Sequence, residues 1–222
     1  MTYTTREVPL TSQQQKFYDT LKKHMIAVAA GEEITTVNAA ANLNKLLQLS
    51  AGAVYTDTGE IVSFDAKTRM TALMEVIEEA SHKVIVFAPF RHAIEIIAEE
   101  LRGNGVSCDV IHGGVSVNKR TEVFAKFQTE KDPHVLVIQP QAASHGVTLH
   151  AANVVVWWGP VTSTETYLQA NARVHRAGQR NPCTVVHIQG SAVEKRIYDM
   201  LSDKVDIHTR LIDLYKNIVE TT

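Results

Sequence analysis

The sequence predicts an α/β fold in which a parallel sheet is covered by helices on both faces. Three observations carry that prediction. From Lys83 onward, short runs that are apolar at every residue alternate with amphipathic helical stretches, the pattern of strands buried on both faces. Polar and glycine residues gather in the links that follow those runs, where a parallel sheet keeps its functional loops. Finally, 45% apolar residues in a chain of 222 supply the core of one large domain, or of one domain with a helical appendage.

Taken in order, the first segment reads helical. Ser12 with Gln15 forms a capping box, and Phe17, Leu21, Met25 and Val28 follow at helical spacing until Gly31. A second helix covers residues 38–52, with Leu43, Leu46, Leu47 and Leu49 as its apolar stripe and Gly52 as its stop. AVYTDTGEIVSF predicts a hairpin turning at 57–59, and DAKTRMTALMEVIEEA a further amphipathic helix. The alternation then runs KVIVFA, helix RHAIEIIAEELRG, CDVIHG, helix VNKRTEVFAKFQ, HVLVIQ, VVVWWG, helix STETYLQANARVHR, CTVVHIQ. Trp157 and Trp158 are consecutive in a strand, so they face opposite ways and read as core rather than as one stacking platform. A long amphipathic helix, opened by the capping box of Ser191 with Glu194, closes the chain, and HTRLIDLYKNIVE reads as a packing helix. Residues 1–80 are thus expected to form a helical connector with a short hairpin, and residues 81–222 the sheet unit with its C-terminal packing helix.

Charge and cysteine usage narrow the function. A net charge of -2 and a pI near 6.5 exclude a global basic field, so any nucleic-acid contact is a local patch. Cys108 and Cys183 each head an apolar run and read as buried free thiols of a reducing compartment. No apolar run is long enough to span a bilayer, and the polar start lacks a signal-peptide core. A cytoplasmic protein with no membrane partner is the expectation. His112, His145, His175 and His187 lack ligand spacing, so no metal site is expected. Neither GxxxxGK[ST] nor GxGxxG occurs, and no strand ends in a carboxylate pair that would hold magnesium. The chain has no standard phosphate cradle of its own.

What it has instead is QANARVHRAGQ, residues 169–179. Arg173 and Arg176 stand three apart, which on a helix puts both on one face. They read as directed at the same sheet edge as the loops 89–92, 112–116, 139–148 and 159–164. Two arginines alone would equally be surface charges suited to a helix C-terminus. A guanidinium, however, matches phosphate oxygens with its fork of donors and stays charged, so it can act on a phosphate held elsewhere.

These residues resemble motif VI of superfamily 2 helicases of the Swi/Snf type, whose pattern is QAxxRxxRxGQ. The resemblance extends over most of the chain. KVIVFAPFRHAIEIIAEEL resembles motif IV, IHGGVSVNKRTEVFAKFQ the segment after it with its HG, Arg and Phe, and QPQAASHGVTLHAAN motif V. SAVEKRIYDMLSDK is similar to the segment that packs back on this lobe. The resemblance implies the second RecA-like lobe of an ATP-dependent translocase on double-stranded DNA. ATP and Mg would be held mainly by a first RecA-like lobe, in cis or in trans, and this chain alone would be inactive. It further implies that Gln169, Arg173 and Arg176 face ATP, with Arg176 the direct finger, and that Gly146 and its loop couple nucleotide state to DNA. Pro89, Phe90, Arg91, His112, Gly113, Gly114, Ser116, Gln141, Ser144 and His145 would meet the DNA backbone, where contacts carry no base sequence.

There are departures. AASHGVTL lacks the family's Gly-Gly before His145 and has Thr148 where an Asn is usual. WWGP replaces the usual Asp-Pro, and Thr162 stands where the family has Trp. These point to a divergent bacterial or viral branch (host cytoplasm if viral). Two alternatives stay open: a non-catalytic helicase-like module that binds DNA or a protein, and an RNA-directed helicase.

Overall fold

The Val- and Ile-rich runs become strands because each can bury both of its faces, and the amphipathic runs between them supply the cover. In the computed structural model, residues 1–31, 35–56, 58–143 and 147–220 are described. The first half contains β1 (Thr2–Glu7), α1 (Ser12–Gly31), α2 (Thr36–Ser50), β2 (Ala53–Tyr55), β3 (Ile61–Ser63), α3 (Lys67–Glu79), β4 (Lys83–Phe87) and α4 (Arg91–Gly103). The second half contains β5 (Cys108–Ile111), α5 (Val117–Thr129), β6 (Val135–Ile138), a 3₁₀ turn (Pro140–Ala143), β7 (Ala152–Trp157), α6 (Thr164–Ala172), β8 (Thr184–Gln189), α7 (Ala192–Ser202) and α8 (Leu211–Glu220). One sheet runs in the order β1-β8-β7-β4-β6-β5 with every pairing parallel, and β2 and β3 form the separate hairpin. Asp57, in the expected turn of that hairpin, lies outside the described residues.

Alternate residues of each strand feed two cores. Ile85, Phe87, Leu136, Ile138, Val155 and Trp157 pack with α1, α2, α5, α6, α7 and α8. Val84, Val86, Val135, Val137, Val156 and Trp158 pack with α3 and α4. The two tryptophans therefore do separate into opposite cores, both fully buried. Each satisfies its indole N–H, Trp157 on Asn171 Oδ1 at 3.0 Å and Trp158 on the carbonyl of Ala51 at 2.9 Å. Both cysteines are buried and free. Among the described residues no helix is long and apolar enough to cross a membrane.

Four sequence expectations are corrected. The N-terminus is not only helical: TYTTRE pairs with β8 as a parallel edge strand. Its side chains are almost all exposed, so no apolar period marks it, and only its Thr and Tyr content favours a strand. The first capping box lies one residue earlier than expected. Thr11 Oγ1 accepts from the Gln14 N–H and Gln14 Oε1 accepts from the Thr11 N–H. The buried stripe of α1 accordingly includes Gln14, Tyr18 and Met25, and leaves Phe17 exposed; Val28 lies outside the described side chains. The closing helix is two helices, because α7 stops before Lys204, whose φ of 55° takes the chain out of helical geometry. The last core helix also stops early, at Ala172.

The segment before the sheet is tied to it by a buried ion pair. Arg69 of α3 donates through Nη2 to both carboxylate oxygens of Glu194 at 2.8 Å and through Nη1 to the carbonyl of Trp158. Glu194 is at the same time the capping-box acid expected at α7. Its Oε2 accepts from the N–H of Ser191 at 3.1 Å and from that of Gly190 at 2.8 Å. Gly190 must be glycine, since a Cβ there would sit 1.9 Å from the carbonyl oxygen of Val8, where the chain leaves β1.

Candidate functional site

Two clusters of sequence-selected residues emerge at opposite ends of the strands. The first lies at the carboxyl edge. Pro89, Phe90 and Gln141 line a cleft of about 120 Å³ with residues 160–163 and with Asn44 and Leu47 of α2. Beside it, the loop 112–116 follows β5. A Cβ at Gly114 would lie 3.7 Å from Arg91 Nη1 and 3.1 Å from the His112 ring, so the motif IV loop and the HGG loop are in contact. Arg91 and Ser116 are exposed, Arg91 with an ion pair to Glu95 at 2.9 Å. Ser116 is the N-cap of α5, its hydroxyl oxygen accepting from the Lys119 N–H. The N-cap of α4 is Phe90, which supplies no side-chain acceptor, so the first-turn amides of that helix face this edge without a side-chain cap.

Beneath the motif IV loop, His92 is buried, stacked on Phe90 at 5.9 Å and edge-on to Tyr55 at 5.1 Å. Burial pushes its pKa below the ordinary histidine value, so it props Phe90 as a neutral ring and lends the edge no charge.

The second cluster is the motif VI turn. Its arginines do not share a helix face. Arg173 is the C-cap of α6 and Arg176 lies in the bend that follows. Nor do they face the carboxyl edge. The Leu149 N–H donates to the Arg173 carbonyl at 2.8 Å, and Arg176 Nη1 reaches Thr148 Oγ1 at 3.5 Å. Gln179 donates its amide to the carbonyls of His150, Ala152 and Val174, at 3.2, 2.8 and 3.4 Å. Ala152 opens β7 and pairs with Lys83, which opens β4, so the turn is fastened to the amino ends of the strands. The expectation failed because a helix of 9 residues running back along the sheet carries its end away from the edge at which it began. Arg176 is exposed and Arg173 half-buried. Gln169 is exposed on α6 and donates to Glu165 Oε1 at 2.8 Å.

Motif V joins the two clusters. It leaves β6 at the carboxyl edge and reaches the motif VI turn at Thr148 and Leu149. Of its selected residues, Ser144, His145 and Gly146 lie outside the described residues.

Three side chains outside the expected contact set act at these sites. Arg120 of α5 donates Nε to the Val115 carbonyl at 2.8 Å, and Nη2 to those of Gly113 and His112 at 3.1 and 3.2 Å. Gln139 Oε1 accepts from the Gly113 N–H at 3.1 Å. Gln179, quoted only as part of a helix end, is the amide that fixes the turn. Arg120 had a signal, being the arginine one turn into a helix that follows HGGVS; the two glutamines had none.

The donors gathered here suit anionic oxygen. Guanidinium groups, backbone N–H and hydroxyls predominate, and among the described residues no group of three or more His, Cys, Asp or Glu could hold a metal ion. The residues present therefore fit contact with phosphate oxygens.

Comparison with known proteins gives this geometry a context. Residues 68–178, half of the chain, match the family described as Helicase conserved C-terminal domain. An uncharacterised ATP-dependent helicase of Mycoplasma genitalium is 27% identical over 208 residues, which cover 90% of this chain and 20% of that protein. The chain spans a fifth or less of the length of the curated relatives it matches first. Among solved structures, the Sulfolobus solfataricus SWI2/SNF2 ATPase core in complex with dsDNA superposes with a TM-score of 0.76 at 21% identity, covering 100% of this chain and 48% of that one. The C-terminal part of the Fun30 ATPase domain gives 0.74 at 15% identity, covering 99% and 98%. At these identities the structures establish the shared fold, a RecA-like parallel sheet covered on both faces.

Proposed function

The chain belongs to the helicase conserved C-terminal domain family, and from that premise we propose that it is the second motor lobe of an ATP-dependent translocase on double-stranded DNA. The observation that carries the reading is the motif VI turn. It presents Arg176, and beside it Arg173, at one end of a sheet whose chain contains no phosphate cradle. Such cations serve a nucleotide bound on another lobe. ATP supplies the phosphoanhydride that is cleaved, and this chain supplies positive charge where negative charge develops in the transition state. At the opposite end, the motif IV loop offers the first-turn N–H groups of α4 and the Arg91 guanidinium, and the HGG loop the Ser116 hydroxyl, donors that suit phosphate groups and ignore base identity. The complex of the Sulfolobus solfataricus SWI2/SNF2 ATPase core with dsDNA supports the choice of duplex.

The separation of the two clusters gives motif V a mechanical role in this reading. A segment attached to the HGG side through β6 and Gln139, and to the arginine turn through Leu149, transmits a shift at either end to the other.

The purified 222-residue chain is expected to show no ATP turnover above background. Addition of a first lobe bearing a P-loop, from a Swi/Snf-type ATPase, is expected to restore turnover that duplex DNA stimulates. Turnover by this chain alone, abolished by Arg176→Ala, would overturn the half-motor reading. Failure to bind duplex DNA at low salt would remove the DNA grip from it.

A further inference from the structure

We propose that Arg120 is the positioning residue of the duplex-gripping HGG loop, acting by holding that loop's carbonyl oxygens away from the DNA phosphates. The inference rests on the reading of the carboxyl edge as a DNA grip.

A loop laid against a phosphate must hide its carbonyls, because each presents partial negative charge to an anion. In the segment 112–116 one side chain meets this requirement for three carbonyls. Arg120 is half-buried behind the loop and takes three carbonyls, those of His112, Gly113 and Val115, within 3.2 Å. Two bonds within the loop and one from Gln139 close the rest of the curl. The Val115 N–H donates to the His112 carbonyl, the Gly114 N–H to His112 Nδ1, and the Gly113 N–H to Gln139 Oε1. With the carbonyls of His112, Gly113 and Val115 gathered on the Arg120 side, the loop leaves the Ser116 hydroxyl and the Arg91 guanidinium beside Gly114 toward solvent. The Arg120 charge adds positive potential behind this surface without touching it.

The fork matters as much as the charge. Nε carries one N–H and Nη2 two, all held in one rigid plane, so carbonyls eight, seven and five residues away in sequence are satisfied together. A lysine would keep the charge and could not hold all three in this geometry.

The test measures duplex affinity of the 222-residue chain as a function of salt, with amide resonances and thermal unfolding recorded on the same samples. Arg120→Lys is expected to weaken binding about fivefold or more, since the lysine cannot reproduce the fork. The Gly113 and Gly114 amide resonances should shift, while the slope of affinity against salt stays as in the unaltered chain. Gln139→Ala, which removes a different restraint on the same loop, should move the same two glycine resonances and also weaken binding. Lys119→Gln removes an exposed charge from the same edge, and should lower the salt slope by about one with the glycines unmoved. Arg120→Lys binding as tightly as the unaltered chain would overturn the proposal. So would a loss of affinity accompanied by a shallower salt slope, which would make Arg120 a phosphate contact. An unaltered chain that does not bind duplex at all would instead sink the DNA reading, and the inference with it.

Discussion

Arg69 and Arg176 place the same guanidinium in opposite surroundings. Arg69 has a side-chain exposure of 5% and meets a carboxylate whose exposure is 0%. It also meets the carbonyl of Trp158 and lies 5.6 Å over the indole of the same residue. Arg176 is exposed in a bend, at 3.5 Å from one threonine hydroxyl. Arginine serves the first site because its planar fork can satisfy an acid and a carbonyl together; at the second, in the proposed reading, its exposed position lets an anion from outside reach it. What separates the two cations is therefore burial. Residue type is the same in both, and each lies near a helix that a sequence reading finds.

The contrast breaks most visibly at the buried pair. Arg69→Met leaves Glu194 charged and enclosed, and should cost about 3–5 kcal/mol, read from urea unfolding. Replacing Glu194 with Met in the same background should recover part of that loss, because two apolar groups need no counter-charge. A cost below about 1 kcal/mol for Arg69→Met would show that the capping amides of Gly190 and Ser191 suffice for the acid, and would erase the distinction drawn here.

Acid probes the comparison through a neighbour, since guanidinium groups do not titrate in the accessible range. His187 of β8 lies in the core beside α6, with Nε2 2.8 Å from the Tyr167 hydroxyl and its ring stacked on Tyr198 at 4.1 Å. Burial pulls its pKa from 6.5 down to about 4. The rings that face it are those of Tyr3, Tyr167 and Tyr198, none of which is a counter-charge for an imidazolium. Between those two pH values the unfolded chain binds a proton that the folded chain refuses. The stability contribution is therefore complete above pH 6.5 and is lost as pH falls toward 4, about 3 kcal/mol in all. His187→Gln should flatten the unfolding midpoint over that interval. An unchanged slope would place the acid sensitivity elsewhere.

How much of this could be read beforehand follows from periodicity. The strands β4 to β8, the helices α2 to α5 and the Ser191 cap announce themselves locally, through apolar period and cap chemistry. The strand β1 does not, because TYTTRE buries little and is held by backbone pairing to a strand more than 180 residues away. Arg69 looked like one polar residue of an amphipathic helix, since its partner lies 125 positions on. At the candidate site, the loops 89–92 and 112–116 were placed correctly at the carboxyl edge. The arginine turn lies at the opposite end from the one its helix spacing predicts, because the sequence does not reveal where α6 stops. Gln139 and Gln179 stayed silent for a related reason: an amide that joins two loops has no local signature.

The smallest expected effect on stability belongs to the residue with the largest proposed part in turnover. Arg176→Ala removes an exposed side chain from a bend whose backbone is fixed by Gln179 and by the bond from Leu149 to Arg173, neither of which involves its guanidinium. The unfolding free energy should change by no more than about 0.5 kcal/mol, as for surface substitutions generally. In the two-lobed assembly, the same change should lower turnover by a factor on the order of 10³ or more, the scale on which an arginine finger acts. Arg176→Lys should recover little of it, because a point charge lacks the fork. The two measurements together carry the comparison. If Arg176→Ala destabilised the chain as Arg69→Met does, the turn would be a packing element whose charge happens to be exposed. If it left both stability and turnover unchanged, the cations would be surface charges at a helix end and the phosphate reading would fall. Only a silent effect on folding joined to a large effect on turnover separates a presented arginine from a buried one.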